Sequence, residues 1–114
     1  FTREVDVLRE ACDLVVSKAG GLTCSAALIK QAPLIIFRPT PGQEVRNAGY
    51  LERGRAAVRA ESIEDVEAGV THWLGDRAAL DAARAACARL ARPNAAQVIA
   101  ARVLEGVSRD ARPA

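Results

Sequence analysis

Asp13-Leu14-Val15-Val16-Ser17-Lys18-Ala19-Gly20-Gly21-Leu22-Thr23-Cys24-Ser25 is the stretch whose reading decides the fold. It reads as a short buried strand, a glycine turn and the start of a helix. Leu14, Val15 and Val16 form an unbroken apolar run, the pattern of a central parallel strand covered on both faces. Gly20 and Gly21 permit positive φ and let another group approach the backbone closely. Thr23 or Ser25 is suited to cap the helix that follows. The first N–H groups of that helix have no partner within it. Together with the positive end of the helix dipole they favour an anion, most often a phosphate. The same residues would also serve an ordinary β–α turn in which the glycines allow tight packing.

Outward from this stretch, helices and strands alternate. Upstream, residues 3–11 carry Val5, Leu8 and Ala11 or Cys12 on one helical stripe. Downstream, the helix over 23–31 stops before Pro33, which lacks an amide donor and disfavours helical geometry at Ala32. Leu34-Ile35-Ile36-Phe37 is a second strand, apolar without alternation. Arg38-Pro39-Thr40-Pro41-Gly42 is a rigid loop at its carboxyl end, and residues 43–53 are a third helix ended by Gly54. Residues 56–59 make a short third strand near an edge.

The remainder is helical. Ser62 and Asp65 resemble a capping box for a helix with Ile63, Val66, Val70 and Trp73 or Leu74 on its stripe. Asp76 caps a helix striped by Leu80, Ala83, Cys87 and Leu90. Asn94 and Gln97 start a last helix carrying Ala95, Val98, Ile99 and Val103. The polar stretch from Ser108 to Ala114 reads as a frayed end, so the domain reading is 1–106 with a polar tail over 107–114.

The fold class is therefore α/β, a Rossmann-like parallel sheet with flanking helices, right-handed crossovers and a helical C-terminal end. Ligands bind such sheets outside the carboxyl ends of the strands, where residues 17–22 and 38–43 lie. Three strands are few for a doubly wound sheet, so the sequence reads as part of a larger domain.

The 114 residues are half apolar and only 4% aromatic, with a net charge of +2. This composition fits one small globular core and argues against disorder. The slight basic balance implies neither nucleic acid nor an anionic membrane. No apolar run approaches the ~20 residues that span a bilayer, and no signal peptide is evident. Cys12, Cys24 and Cys87 are odd in number and widely spaced, without a zinc or redox pattern, which favours a reducing cytosol. Cys12 and Cys87 read as core residues. Cys24, at a helix start without a visible base, reads as a buried thiol. His72 reads as a surface or core-edge residue.

The polar side chains expected at the ligand edge are Ser17, Lys18, Thr23, Ser25, Arg38, Gln43, Glu44, Arg46 and Asn47. Lys18 and Arg38 suit phosphate charge, or are solvated cations. Gln43 and Asn47 share a helix face and suit sugar hydroxyls, or serve as cap and solvated surface.

Taken together, Ser17 to Ser25, Pro33-Leu34-Ile35-Ile36-Phe37, Pro41-Gly42-Gln43-Glu44 and Asn47-Ala48 resemble the C-terminal domain of GT-B glycosyltransferases. The resemblance is to the monogalactosyldiacylglycerol synthase and diacylglycerol glucosyltransferase type. That type is related to the transferase that adds N-acetylglucosamine to the peptidoglycan lipid precursor. It covers about residues 4–105.

The resemblance implies a UDP-sugar donor site and no other cofactor. Gly20, Gly21, Leu22 and Thr23 would hold the diphosphate; Gln43 and Glu44 would contact sugar hydroxyls, with Asn47 beside them. It implies inverting transfer of a hexose to a lipid-linked acceptor that a preceding N-terminal domain binds. That domain would supply the catalytic base, so neither a catalytic residue nor a metal ligand is assigned within this chain. The resemblance further implies a cytoplasmic location at the inner face of the plasma membrane, with peripheral membrane contact.

One departure stands out. The family pattern continues threonine-x-serine-glutamate, where the glutamate accepts bonds from the ribose; here Thr23-Cys24-Ser25 is followed by Ala26. The stretch Ile29-Lys30-Gln31-Ala32 also departs, where the family favours a glycine just before the leucine-proline or similar pair. An alternative expectation is thus a non-catalytic remnant with a decayed nucleotide site. Its open sheet edge and Ala-rich helices would then serve interaction or self-association.

Overall fold

The computed structural model describes residues 2–111. The chain runs α1 (Val5–Ala11), β1 (Val15–Ser17), α2 (Gly21–Ile29), β2 (Leu34–Phe37), α3 (Gln43–Arg53), β3 (Ala57–Ala60), α4 (Ile63–Gly75), α5 (Arg77–Leu90) and α6 (Ala95–Asp110). The three strands form one parallel sheet in the order β1-β2-β3. Val15 pairs with Leu34 and Leu34 with Ala57, so the carboxyl ends of all three strands lie on the same side. This is the α/β, Rossmann-like arrangement that the alternating pattern implies.

The buried strand is β2. Leu34 and Ile36 enter one core cluster with Cys24, Ala27, Leu28, Ala48, Leu51, Ala86 and Cys87. Ile35 enters the opposite cluster with Ala60, Trp73, Leu80 and Ala83. Helices thus cover both faces, which is why β2 is apolar at every position rather than every second one. Burying each fully covered Leu or Ile side chain of β2 stabilises the fold by about 1.5–3 kcal/mol, and each alanine by less.

β1 does not occupy the central, doubly covered position that its apolar run suggests. It lies at one edge of the sheet, and Val16 is 46% exposed. Three apolar residues in a row specify a strand, but coverage depends on which neighbours it meets. β3 lies at the other edge, as its short mixed sequence indicates.

Small residues let the layers approach. A Cβ at Gly69 would sit 3.1 Å from Ile35 Cδ1, so α4 rests on β2 where no side chain intervenes. The capping box of α4 is formed: Asp65 N donates to Ser62 Oγ at 3.1 Å and Asp65 Oδ2 accepts from Ser62 N. Asp76 caps α5 through Ala79 N at 3.1 Å.

The two terminal helices differ from this body. α1 buries no residue, and its stripe residues Val5 and Leu8 are exposed, as is Cys12. The expectation that Cys12 is core is therefore wrong: α1 buries no apolar side chain, and its Glu10 pairs with Lys30 of the body. α6 also buries no residue, and it continues through Asp110 across the stretch read as a frayed tail. Residues 112–114 of that stretch lie outside the described residues. The molecule measures 63 × 31 × 29 Å.

Candidate functional site

The carboxyl edge of the sheet carries two loops, residues 18–20 after β1 and 38–42 after β2. In the first, the left-handed conformation falls on Ala19, φ 69°, and not on either glycine. Gly20 is extended, with φ −61° and ψ 144°, and acts as the N-cap of α2. A non-glycine residue in the left-handed region costs roughly 1–2 kcal/mol. Here Ala19 is fully buried in the core, so its methyl group fixes the loop while its backbone carries the strain.

Thr23 and Ser25 do not cap α2. The helix starts two residues earlier than expected, which places both inside it, and the Gly20 N-cap has no side-chain bond. The first helical bond runs from Cys24 N to Gly20 O at 2.9 Å. The N–H groups of Gly21, Leu22 and Thr23 therefore precede the helical ladder. No atom lies within 4 Å of a Cβ built on Gly20, so the approach to this helix end is open.

The second loop turns at Arg38, φ 49°, and at Gly42, φ 103°. The Gly42 conformation is one that an L side chain rarely adopts, which accounts for glycine before α3. Glu44, in the first turn of α3, accepts a hydrogen bond from Thr40 N at 2.5 Å through Oε2. The backbone and hydroxyl of Thr40 hold the Glu44 carboxyl below its ordinary pKa, assisted by the charge of Lys18. Burial raises the Cys24 thiol, and the Glu44 charge raises it further. Lys18, Glu44 and Cys24 thus share one electrostatic neighbourhood, in which the thiol is held neutral.

α3 also reaches the first loop. Asn47 Nδ2 donates to Ala19 O at 3.0 Å. Gln43 Nε2 lies 4.0 Å from a Cβ built on Gly21, over the start of α2. Two spaces flank these contacts. One, of about 360 Å³, is lined by Val16, Ser17, Lys18, Phe37 and Arg38 across the ends of β1 and β2. The other, of about 190 Å³, lies between α2 and α3 and is lined by residues including Gly21, Cys24, Ser25 and Asn47. Arg38 stacks on Phe37, its guanidinium carbon 5.0 Å from the ring centroid.

The expected site residues therefore gather, but in different roles. Ser17, Lys18 and Arg38 line one space, Gly20, Gly21, Leu22 and Thr23 form the start of α2, and Gln43 overlies Gly21. Glu44 and Asn47 each spend one polar atom on a loop backbone. Arg46 and His72 are exposed, and α2 carries no acidic residue in its first turn. Sequence reasoning missed Ala19 and Thr40, because the contribution of each is largely its backbone. Among the described residues no group of three His, Cys, Asp or Glu residues could hold a metal ion. No described helix is long and apolar enough to cross a membrane.

No protein-family model matches the chain. Among curated proteins it is 34% identical over 105 residues to a processive diacylglycerol beta-glucosyltransferase of Bacillus thuringiensis (strain Al Hakam), covering 92% of the chain. It is 33% identical over 81 residues to a protein of the same name from Bacillus pumilus (strain SAFR-032), covering 71% of the chain. The chain spans only 27% of the length of the first and 21% of the second. The match falls in their C-terminal part.

Proposed function

Homologous over most of its length to the C-terminal part of diacylglycerol glucosyltransferases, this chain belongs with the GT-B glycosyltransferases, and we propose that it forms the donor-binding part of one. The donor is a UDP-sugar, and the whole enzyme transfers its hexose to a lipid-linked acceptor with inversion. The observation that carries this reading is the convergence of two loops on the open start of α2, with Gln43 over Gly21.

In this reading the N–H groups of Gly21, Leu22 and Thr23 face the diphosphate, and Lys18 and Arg38 supply positive charge beside it. The first of these contacts strengthens as the bond between anomeric carbon and phosphate oxygen breaks and charge builds on the departing UDP. Gln43 offers both a donor and an acceptor to sugar hydroxyls, and Glu44 keeps Oε1 for the same purpose. The base that removes the proton from the acceptor hydroxyl is not assigned to this chain. Any membrane contact would accompany the lipid acceptor.

An amide NMR titration with UDP, with AMP as control, tests the reading. Selective shifts over residues 20–25 and 43–47 are expected. A well-dispersed spectrum indifferent to UDP would overturn it. A sharper arm is Ala26→Glu, which restores a ribose acceptor. A hydrogen bond to a charged group contributes about 1.5–3 kcal/mol, so UDP should bind roughly 10- to 100-fold more tightly.

A further inference from the structure

Asn47 resembles a ligand-contacting residue by position, but its amide is already engaged. Ala19 O can only accept, so the Asn47 atom facing it at 3.0 Å is the amide nitrogen, and the orientation of the side chain is settled by its partner. The bond spans 28 residues of sequence and joins α3 to the loop after β1. Its acceptor is the one residue of that loop in the left-handed conformation, and that residue is fully buried. The side chain also lines the α2–α3 cleft with Cys24, Ser25 and Leu28, not the space bounded by Ser17, Lys18 and Arg38.

We propose that Asn47 is a positioning residue: it holds the Ala19 peptide in its strained conformation and thereby aims the start of α2 at the diphosphate. The consequence for donor binding rests on the reading above; the hold on the loop does not. A bond from α3 keeps the loop after β1 in register with the loop after β2, since the same helix carries Glu44, which holds Thr40. The two halves of the site are thus set by one helix. Releasing Asn47 frees the first half and leaves the second in place.

Two variants test this. Asn47→Asp keeps size and acceptor oxygens but cannot donate to the carbonyl; Asn47→Ala removes the side chain without adding charge. Hydrogen exchange of the ligand-free chain is read at the Cys24 amide, whose acceptor is Gly20 O, with the Leu34 amide on β2 as control. The expected result is about tenfold faster exchange at Cys24 in both variants, the equivalent of one hydrogen bond of about 1.4 kcal/mol, with Leu34 unchanged. UDP, which carries no hexose, should bind Asn47→Ala about tenfold more weakly than the unaltered chain.

Unchanged Cys24 exchange in both variants would overturn the proposal. So would faster exchange at Cys24 accompanied by undiminished UDP affinity, which would leave Asn47 a purely structural tie. An unaltered chain that ignores UDP would instead overturn the donor reading, and the exchange data would then judge the hold of Asn47 on the loop by themselves.

Discussion

β2 and α6 are both rich in branched aliphatic residues, and they meet opposite fates. Leu34, Ile35 and Ile36 are 0% exposed, whereas Ile99 is 63% and Leu104 67% exposed. β2 lies between two other strands with helices on both faces; α6 leaves the body after Pro93 and buries no residue. The apolar period of a segment therefore identifies the element it forms, while the energy it contributes depends on what packs against it.

The comparison would break at Ile36→Ala if the two segments contributed alike. Removing a fully buried Ile side chain costs about 2–5 kcal/mol, and urea unfolding should report a loss in that range. A smaller loss comes from alkaline pH, acting on the body alone. Burial raises the Cys87 thiol from 9.0 to about 11, so the folded state keeps a proton that the unfolded state releases. Stability should be intact below pH 9, fall as pH rises, and be lost to this group's full extent above about 11. Urea midpoints at neutral pH and near about pH 10 measure it, and Cys87→Ala should flatten the fall. The smallest effect is expected at Ile99→Ser on α6, within about 0.5 kcal/mol, because the side chain already faces solvent. A loss of several kcal/mol at Ile99 in the same assay would mean that α6 packs against something after all.

The same contrast runs through what was legible beforehand. β2, both N-terminal caps at Ser62 and Asp76, and the start of α3 after Gly42 follow from local chemistry, since an unbroken apolar run, a capping side chain and a turn glycine act within a few residues. The end of α3 at Gly54 was also legible, but for another reason: Gly54 is right-handed, the left-handed residue is Arg55, φ 62°, and a Cβ on Gly54 would collide with Leu90 Cδ1. The candidate site was legible as two loops at one sheet edge. Its internal wiring was not. Gly20 and Gly21 suggest where a left-handed residue would fall, yet the sharp turn is made at Ala19, whose methyl group is wanted in the core. Thr23 looks like a cap until the start of α2 at Gly21 places it inside the helix. The Asn47–Ala19 bond joins residues too far apart in sequence for any local pattern to predict.

The sequence by itself determined the order of helices and strands, the parallel sheet that this order requires, and the residue types gathered at its carboxyl edge. Periodicity, caps and turn residues are properties of neighbours along the chain. Only the tertiary structure decided that β1 is an edge strand, that Cys12, α1 and α6 face outward, and that α3 ties down both loops of the site. Each of those outcomes depends on which surfaces meet across long stretches of chain, and a surface without a partner stays in water however apolar its stripe.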